Sequence, residues 1–298
     1  MLSFTGNPLD RASERRADPQ WIAAQRQKAD ALFLPVWQDK ILLRNDQMVF
    51  LAPSQLDGTT DFVVLFLGLG VQRPYFALGL PQGDNAPLAG LGEFHDMRAA
   101  AFVLSPADTA LAGQAKTLID WHRRHGFCPN CGGRTAIEDG GYRRLCTGCG
   151  AEHFPRTDPV AIMLPIHGEE CLLGHNKRFR EGYYSAFAGF AEPGETLEEA
   201  VIRELKEEAG LAVGRVRYHA SQPWPFPSSL MLGCYAEALS TDFLADGREI
   251  EAARWMGRSE LRSRLAGEKN DAIKLPAAIA IARKLIEDWV DEDWVDQE

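Results

Sequence analysis

Residues Gly189 to Leu211 read GFAEPGETLEEAVIRELKEEAGL, a glycine turn followed by a run of carboxylates. Pro193-Gly194 is a turn, and from Glu195 no helix breaker appears until Gly210, so the spacing predicts a helix over about residues 195 to 209. With about 100° of rotation per residue, Glu204, Glu207 and Glu208 stack on one face, and Val201, Ile202, Leu205 and Ala209 form the adjacent apolar stripe, the side expected to be buried. Three carboxylates this close repel one another unless a positive charge sits among them, and hard oxygen ligands on one helical face suit Mg²⁺ or Mn²⁺. Arg203 lies four residues after Glu199 and four before Glu207, where it can hold a carboxylate in place. Taken alone, the acidic run fits a solvated helix face as well as a metal site.

Working outward, the chain has 298 residues and a net charge of -10. That length accommodates two domains with real cores, and the acidic balance argues against a protein that coats nucleic acid while leaving room for a local basic pocket. The longest apolar candidate, Phe62 to Val71, is too short to cross a membrane, and the opening MLSFTGNPLDRASERR has no signal-peptide core, so a soluble cytoplasmic protein is expected. The terminal Val-Asp-Gln-Glu is not a peroxisomal address. Residues 1 to about 30 read as polar and partly helical, anchored by Trp21 and Ile22. Strand-like runs follow at Ala31 to Trp37, Lys40 to Leu43, Met48 to Ala52, Asp61 to Leu69 and Tyr75 to Leu80, and are read as an antiparallel sheet. His95 and Arg98 stand isolated. A helix from about Ala107 to Arg124 places Leu111, Ala115, Leu118 and Trp121 on one core-facing stripe.

Cys128-Pro129-Asn130-Cys131 and Cys146-Thr147-Gly148-Cys149 are two CxxC knuckles with fourteen residues between them, the spacing of a four-thiolate zinc ribbon. Four sulfurs leave no open coordination position, so such a zinc is structural; disulfides are the competing reading and do not suit a chain without an export signal. Cys171 and Cys234 read as core residues, and His122 and His125 as helix-end cations. Beyond the ribbon, Val160 to Ile166 and Glu170 to His175 read as strands, and Tyr183 to Phe187 as the strand that delivers Ala188 and Gly189. The basic cluster Lys177, Arg178 and Arg180 fits either a phosphate site or a solvated loop. In Ser221 to Ser229, SQPWPFPSS, proline at every second position predicts an extended, stiff loop with Trp224 and Phe226 on the same side. Two aromatic faces on a rigid backbone suit stacking on a flat heterocycle, or equally packing against a neighbouring domain.

Gly189, five residues, Glu195, seven residues, then Arg203-Glu204-Leu205-Lys206-Glu207-Glu208-Ala209-Gly210-Leu211 fill every fixed position of the Nudix box. The junction Trp121 to Gly132 and the SQPWPFPxS run resemble the NADH pyrophosphatase (NAD-capped RNA hydrolase) branch of that superfamily, in the same order along nearly the whole chain. The resemblance implies an α+β protein with an N-terminal Nudix-like antiparallel sheet domain over residues 1–126, a four-cysteine zinc ribbon over 127–155 and a C-terminal catalytic α/β/α Nudix fold over 156–298. It implies hydrolysis of the pyrophosphate of NADH, and less efficiently NAD⁺, to nicotinamide mononucleotide and AMP, in a homodimer whose aromatic residues complete the site across the dimer. Removal of NAD caps from RNA is the same reaction on a larger substrate.

By matching positions, the resemblance implies Glu204 and Glu208 as principal ligands of a catalytic Mg²⁺ or Mn²⁺, Glu207 as a further ligand, and the Ala188 carbonyl in the same shell. Glu208 is the residue whose loss abolishes catalysis, as base or as ligand. A later family carboxylate matches Glu249, with Glu251 its competitor. Zinc falls to Cys128, Cys131, Cys146 and Cys149. Substrate contacts are carried over to Phe190 and to Gln222, Pro223, Trp224, Pro225, Phe226, Pro227, Ser228 and Ser229, with Phe190 and Trp224 expected to sandwich the nicotinamide ring. Ala282, in a helix expected over Ile279 to Trp289, is carried over as a small residue near the ligand. Phe154 is carried over as a further substrate contact, at a position where relatives can carry a tyrosine, and Gly141 stands where they can carry a polar residue. The acidic tail from Asp288 to Glu298, with Trp294, reads as a solvated helix end. A silent nucleotide-sensing module would show an eroded box core, and this core is intact.

Overall fold

The computed structural model describes residues 1–56, 62–71, 73–88, 90–268 and 273–291. The end of the acidic tail, with Trp294, and the expected strand start at Asp61 lie outside the described residues. Contacts divide the chain into two units, one comprising Ser3–Thr157 with Pro223–Ser228, the other Asp158–Gln222 with Ser229–Glu298. Among the described residues no helix is long and apolar enough to cross a membrane.

The first unit begins with helix α1 (Pro19–Arg26), whose cap Asp18 accepts hydrogen bonds from the Gln20 and Trp21 amides. Strands β1 (Leu32–Trp37), β2 (Lys40–Arg44), β3 (Gln47–Met48), β4 (Val63–Leu69), β5 (Pro74–Gly79) and β6 (Glu93–Asp96) form a six-stranded sheet in the order β3-β2-β1-β5-β4, with β6 on β2. The sheet is mixed, which corrects the antiparallel expectation: β1 and β5 run parallel from Leu32 opposite Tyr75 to Val36 opposite Gly79. The physical reason lies in their side chains. Phe33, Leu34, Val36, Phe76, Ala77 and Leu78 are all buried, so both strands are covered on both faces, as central parallel strands require. Beyond β6 come the short helix α2 (Met97–Ala100) and α3 (Pro106–Arg124), which starts at the cap Ser105 and buries Leu111, Ala115, Leu118 and Trp121 as their spacing predicts.

The ribbon adds β7 (Thr135–Glu138), β8 (Arg143–Cys146) and β9 (Glu152–His153) as an antiparallel three-stranded sheet. Arg144 is buried there without a carboxylate. Its guanidinium instead donates to the Thr135 hydroxyl and carbonyl and to His122 Nδ1, and His122 Nε2 meets the Gly141 carbonyl at 2.7 Å. His122 is therefore a buried link between α3 and the ribbon, where a helix-end cation was expected; burial pushes its pKa down to about 4.

The second unit is a mixed sheet of β10 (Asp158–His167), β11 (Glu170–Asn176), β12 (Phe187–Phe190), β13 (Val213–Trp224), β14 (Ser229–Ala238) and β15 (Ile250–Gly257), in the order β13-β14-β10-β11-β15 with β12 on β10. Helix α4 (Leu197–Ala209) lies on one face, and α5 (Arg258–Leu265) and α6 (Ile281–Asp291) on the other. The alternation along β10 decides this. Ala161 and Met163 join Ala200, Val201, Leu205 and Ala209 of α4 in one core, while Ile162, Leu164 and Ile166 join Leu261, Leu285, Ile286 and Trp289 in the other. The result is the expected α/β/α layering.

Two local expectations are corrected. Tyr183 to Ala186 makes only isolated bridges, and the strand that carries Ala188 and Gly189 is β12 itself, paired through Ile162 opposite Ala188 and Ala161 opposite Gly189. Ser221 to Trp224, expected in a loop, closes β13; an edge strand tolerates Pro223 because no inner ladder needs its missing N–H. The chain then turns through Pro225 to Ser228 and returns as β14.

Candidate active site

The box helix is set by its ends. Thr196 is the cap and shares a reciprocal capping box with Glu199, whose carboxylate accepts from the Thr196 amide at 2.7 Å while the Thr196 hydroxyl accepts from the Glu199 amide at 3.2 Å. The helix stops at Gly210, which takes the left-handed conformation. Glu199 is thus occupied by the cap, and Arg203 serves other acids. It donates to Glu195 Oε2 at 3.0 Å, Glu204 Oε1 at 2.8 Å, Glu207 Oε2 at 3.2 Å and the Phe190 carbonyl at 2.9 Å. The pairing with Arg203 holds the Glu195 carboxyl down at about 2.

Gly189 faces the Glu204 carboxylate so closely that a Cβ there would stand 1.8 Å from Glu204 Cδ. The glycine that opens the box is therefore a requirement of the glutamate fifteen positions later. Ile202, expected in the apolar stripe, is exposed, and Glu208 takes its place on the buried side. Seven residues is almost two full turns, so Glu208 lies directly over Val201, while Ile202 is rotated away by about 100°. That spacing was present in the sequence and is the signal for the burial of Glu208.

Glu208 is 7 % exposed, and its Oε2 has no hydrogen-bond partner. Burial first, then the charges of Glu204, Glu249, Asp246 and Glu207, push its pKa up to about 8. Glu204 is also raised, again chiefly by burial, against the opposing pull of Arg203. Glu249 is brought near by a loop docked on the end of α4: the Asp246 amide donates to the Glu208 carbonyl at 3.1 Å, and the Asp246 carboxylate accepts from the amides of Arg248, Glu249 and Ile250. Its competitor Glu251 faces His175 at 3.7 Å. Lys177, from the basic cluster, joins this loop through its amide, which donates to the Glu249 carbonyl at 3.1 Å. An orphaned buried carboxylate oxygen amid four further acids, beside a glycine cradle that another side chain would fill, fits a hard divalent cation.

The four cysteine sulfurs all lie within 4.8 Å of one another, which among the described residues makes them the one such set of three or more potential ligands. Cys131 and Cys146 are 3.4 Å apart and Cys128 and Cys149 3.8 Å, far beyond a disulfide bond, and all four are free. The amides of Cys149 and Gly148 draw the Cys146 thiol down to about 6, whereas Cys131, drawn down by Gly133, is pushed up to about 12 by the thiols around it. A divalent ion at their centre removes this conflict, so the set fits zinc. His153, which sequence reasoning passed over, brings Nε2 to 3.3 Å from Cys128 Sγ.

The remaining expected residues are distributed unevenly. Phe190, 59 % exposed, lies at the end of β12 in the second unit; Phe154 is also exposed, in the first. Gln222 is buried, and its amide is spent on the start of α6, donating to the Ile279 carbonyl and accepting from the Ile281 amide, both at 2.8 Å. Ala282 packs in the core against β10 and β14 residues, so its small size serves packing. These two side chains brace the start of α6 and the core beneath it. Pro223, Trp224, Pro225, Phe226, Pro227 and Ser228 belong to the first unit, and Ser229 opens β14 in the second. Trp224 and Phe226 meet edge to face at 5.0 Å, and Phe4 meets both at 5.7 and 5.9 Å. Arg98, read from sequence as isolated, lies over the Phe226 ring at 4.2 Å.

A box helix on one face of an α/β/α sheet, with Glu208 buried beside Glu204, preceded in the chain by a four-thiol ribbon, defines a zinc-ribbon Nudix hydrolase. Family models match accordingly: an NADH pyrophosphatase-like rudimentary Nudix domain over residues 30–121, an NADH pyrophosphatase zinc ribbon domain over 123–154 and a Nudix domain over 156–277. The chain is 36 % identical to an NAD-capped RNA hydrolase of Homo sapiens, across 96 % of this chain and 73 % of that protein. It is 38 % identical to a mitochondrial NAD(P)H pyrophosphatase of Homo sapiens, across 67 % of this chain and 60 % of the relative. It is 41 % identical to an NAD-capped RNA hydrolase of Stutzerimonas stutzeri, across 59 % and 60 %. The chain belongs to the NADH pyrophosphatase family of Nudix hydrolases. Its cofactors are those of that family, a catalytic Mg²⁺ or Mn²⁺ and a structural zinc in the ribbon.

Proposed function

We propose that the protein hydrolyses the pyrophosphate bond of NADH and NAD⁺ to nicotinamide mononucleotide and AMP, and that it removes NAD caps from RNA by the same chemistry. The observation that carries the catalytic part is Glu208, a buried carboxylate with an unpartnered oxygen among Glu204, Glu207 and Glu249. Glu204, Glu207, Glu208 and Glu249, with the Ala188 carbonyl, would hold the catalytic cation. When bound, Mg²⁺ or Mn²⁺ neutralises the pyrophosphate oxygens and makes water a better nucleophile at neutral pH.

The chain's own groups do the rest. Arg203 keeps Glu204 and Glu207 at fixed positions, so little side-chain freedom is lost when substrate arrives. Glu208 Oε2, free of hydrogen bonds, serves either as a ligand of the cation or as the acceptor of the attacking water's proton. Phe190 in the second unit is one proposed stacking face for a flat ring, and Trp224 in the first unit is another. The domain boundaries proposed are 1–126, 127–155 and 156–298, with a cytoplasmic homodimer as the working assembly; size-exclusion chromatography with light scattering tests the dimer.

Product analysis of NADH incubated with Mg²⁺ or Mn²⁺ tests the activity. Reduced nicotinamide mononucleotide and AMP in equal amounts are expected, and their absence, with capped RNA also left intact, sinks the reading. Gly189→Ala is a second check. The added methyl collides with the Glu204 carboxylate, and a displacement of this size is expected to lower kcat about 100-fold. Steady-state kinetics beside a thermal melt separates that loss from unfolding.

A further inference from the structure

Lys116 of α3 is almost wholly buried, at 5 % exposure; the Asp39 and Asp120 carboxylates act on it through their charge, but neither is its hydrogen-bond partner. Its ammonium instead donates to the Pro225 carbonyl at 2.7 Å and lies 5.7 Å from the centre of the Phe226 ring. A buried charge costs stability unless its donors are used, so a lysine kept here for packing alone would be better replaced by an apolar residue. What the bond accomplishes is specific: it ties the turn between β13 and β14 to α3, one residue after Trp224.

Four neighbours reinforce the attachment within the same unit. Gly113, one turn before Lys116 on α3, lets the chain approach, since a Cβ there would stand 3.3 Å from both Pro225 Cγ and Phe4 Cδ1. The Thr117 hydroxyl faces the Pro227 carbonyl at 3.4 Å. Arg98 covers the Phe226 ring at 4.2 Å, and Phe4, whose amide donates to Thr109 of α3 at 2.7 Å, packs edge-on against both Trp224 and Phe226.

We propose that Lys116 is a positioning residue for the nicotinamide end of the substrate: by holding the Pro225 carbonyl it sets the attitude of the Trp224 ring. This assigns a task to α3 in the sheet domain, which carries none of the box carboxylates. The inference rests on the proposed role of Trp224 as a stacking face, and it makes a distinct kinetic demand. Loss of Lys116 weakens substrate binding and leaves the chemical step, which belongs to the glutamates, nearly unchanged.

The test is Lys116→Met, which keeps the length of the side chain and removes the donor, beside Lys116→Arg, which keeps a donor. For Lys116→Met a rise in KM for NADH of about tenfold is expected, the loss associated with one charge-assisted hydrogen bond, with kcat within about threefold of the parent. Lys116→Arg should return KM to within about threefold of the parent. Independently of substrate, the emission of Trp224, taken as the difference between each protein and its Trp224→Phe counterpart, should shift to the red in Lys116→Met as the ring leaves Phe4. An unshifted Trp224 emission or an unchanged KM overturns the proposal, as does a parallel fall of kcat and melting temperature, which would make Lys116 a packing residue only. If Lys116→Met does not fold, the exposed Arg98→Ala takes its place, with a KM rise of about threefold and the same red shift expected, and no change in either overturning the proposal. Should the unmodified protein leave NADH intact, the functional reading fails, while the Trp224 emission still decides whether Lys116 sets the turn.

Discussion

Glu208→Gln is expected to lower kcat for NADH hydrolysis by about 10³-fold or more while leaving the protein folded. The amide has the shape of the carboxylate but neither its charge nor its capacity to take a proton, and the site has no second buried acid with a free oxygen on that face of α4. A variant that kept more than about a tenth of the activity would remove Glu208 from the centre of the reaction.

The same substitution carries a stability signature. Burial and the surrounding acids raise the Glu208 pKa in the folded chain from 4.5 to about 8. A carboxyl that binds its proton more tightly when folded stabilises the fold fully below its unfolded pKa, and that contribution is lost as pH rises through the folded value. Without added Mg²⁺ or Mn²⁺, the melting temperature of the zinc-loaded protein should therefore fall between about pH 4.5 and about pH 8, through this group. Glu208→Gln should flatten that part of the profile, and added Mg²⁺ should oppose it by favouring the ionised form. Melting curves across this range, with and without the cation, distinguish the cases. A variant with the same slope as the parent would place the pH dependence elsewhere.

Cys146→Ser is expected to release zinc and unfold the ribbon. The three short strands β7, β8 and β9 cannot bury a core of their own, and metal binding of this kind contributes on the order of 10 kcal/mol to folding. Cys146 is the sulfur to which the Gly148 and Cys149 amides are directed, and it is buried, so a serine there loses both the thiolate and its hydrogen bonds. Hydrogen exchange should show loss of protection from Thr135 through His153, whereas β10 and β14, whose cores are drawn from the second unit, should keep theirs. Zinc retained at one ion per chain with full ribbon protection would contradict the four-thiolate site.

The box was legible because its chemistry is local. Acids at helical spacing, a stop at Gly210 and a glycine at 189 are all written within one loop and one helix, so their alignment follows from helical geometry. The ribbon was legible for the same reason, since two CxxC knuckles state their ligands by spacing. Other features were not readable in this way. The Arg203 partners extend from Glu195 to Glu207 and to the Phe190 carbonyl, because the turn before α4 brings β12 beneath the guanidinium. His122 was assigned to a helix end, but its ring is buried because the ribbon carries Gly141 and Arg144 onto it. The hydrogen bonds of Gln222 to the start of α6, and the burial of Ala282 within that helix, are likewise not written in local spacing.

The sequence by itself determined the class of protein and the two metal chemistries, because the box and the CxxC knuckles are encoded by residue type at fixed short separation. Tertiary structure alone decided that β1 and β5 run parallel, that Glu249 rather than Glu251 stands near Glu208, and that the turn after Trp224 is tied to α3 by Lys116. The reason is the same in each case. These contacts join residues tens of positions or more apart in the chain, and nothing in local spacing records which distant surfaces must close to bury the apolar faces of two sheets.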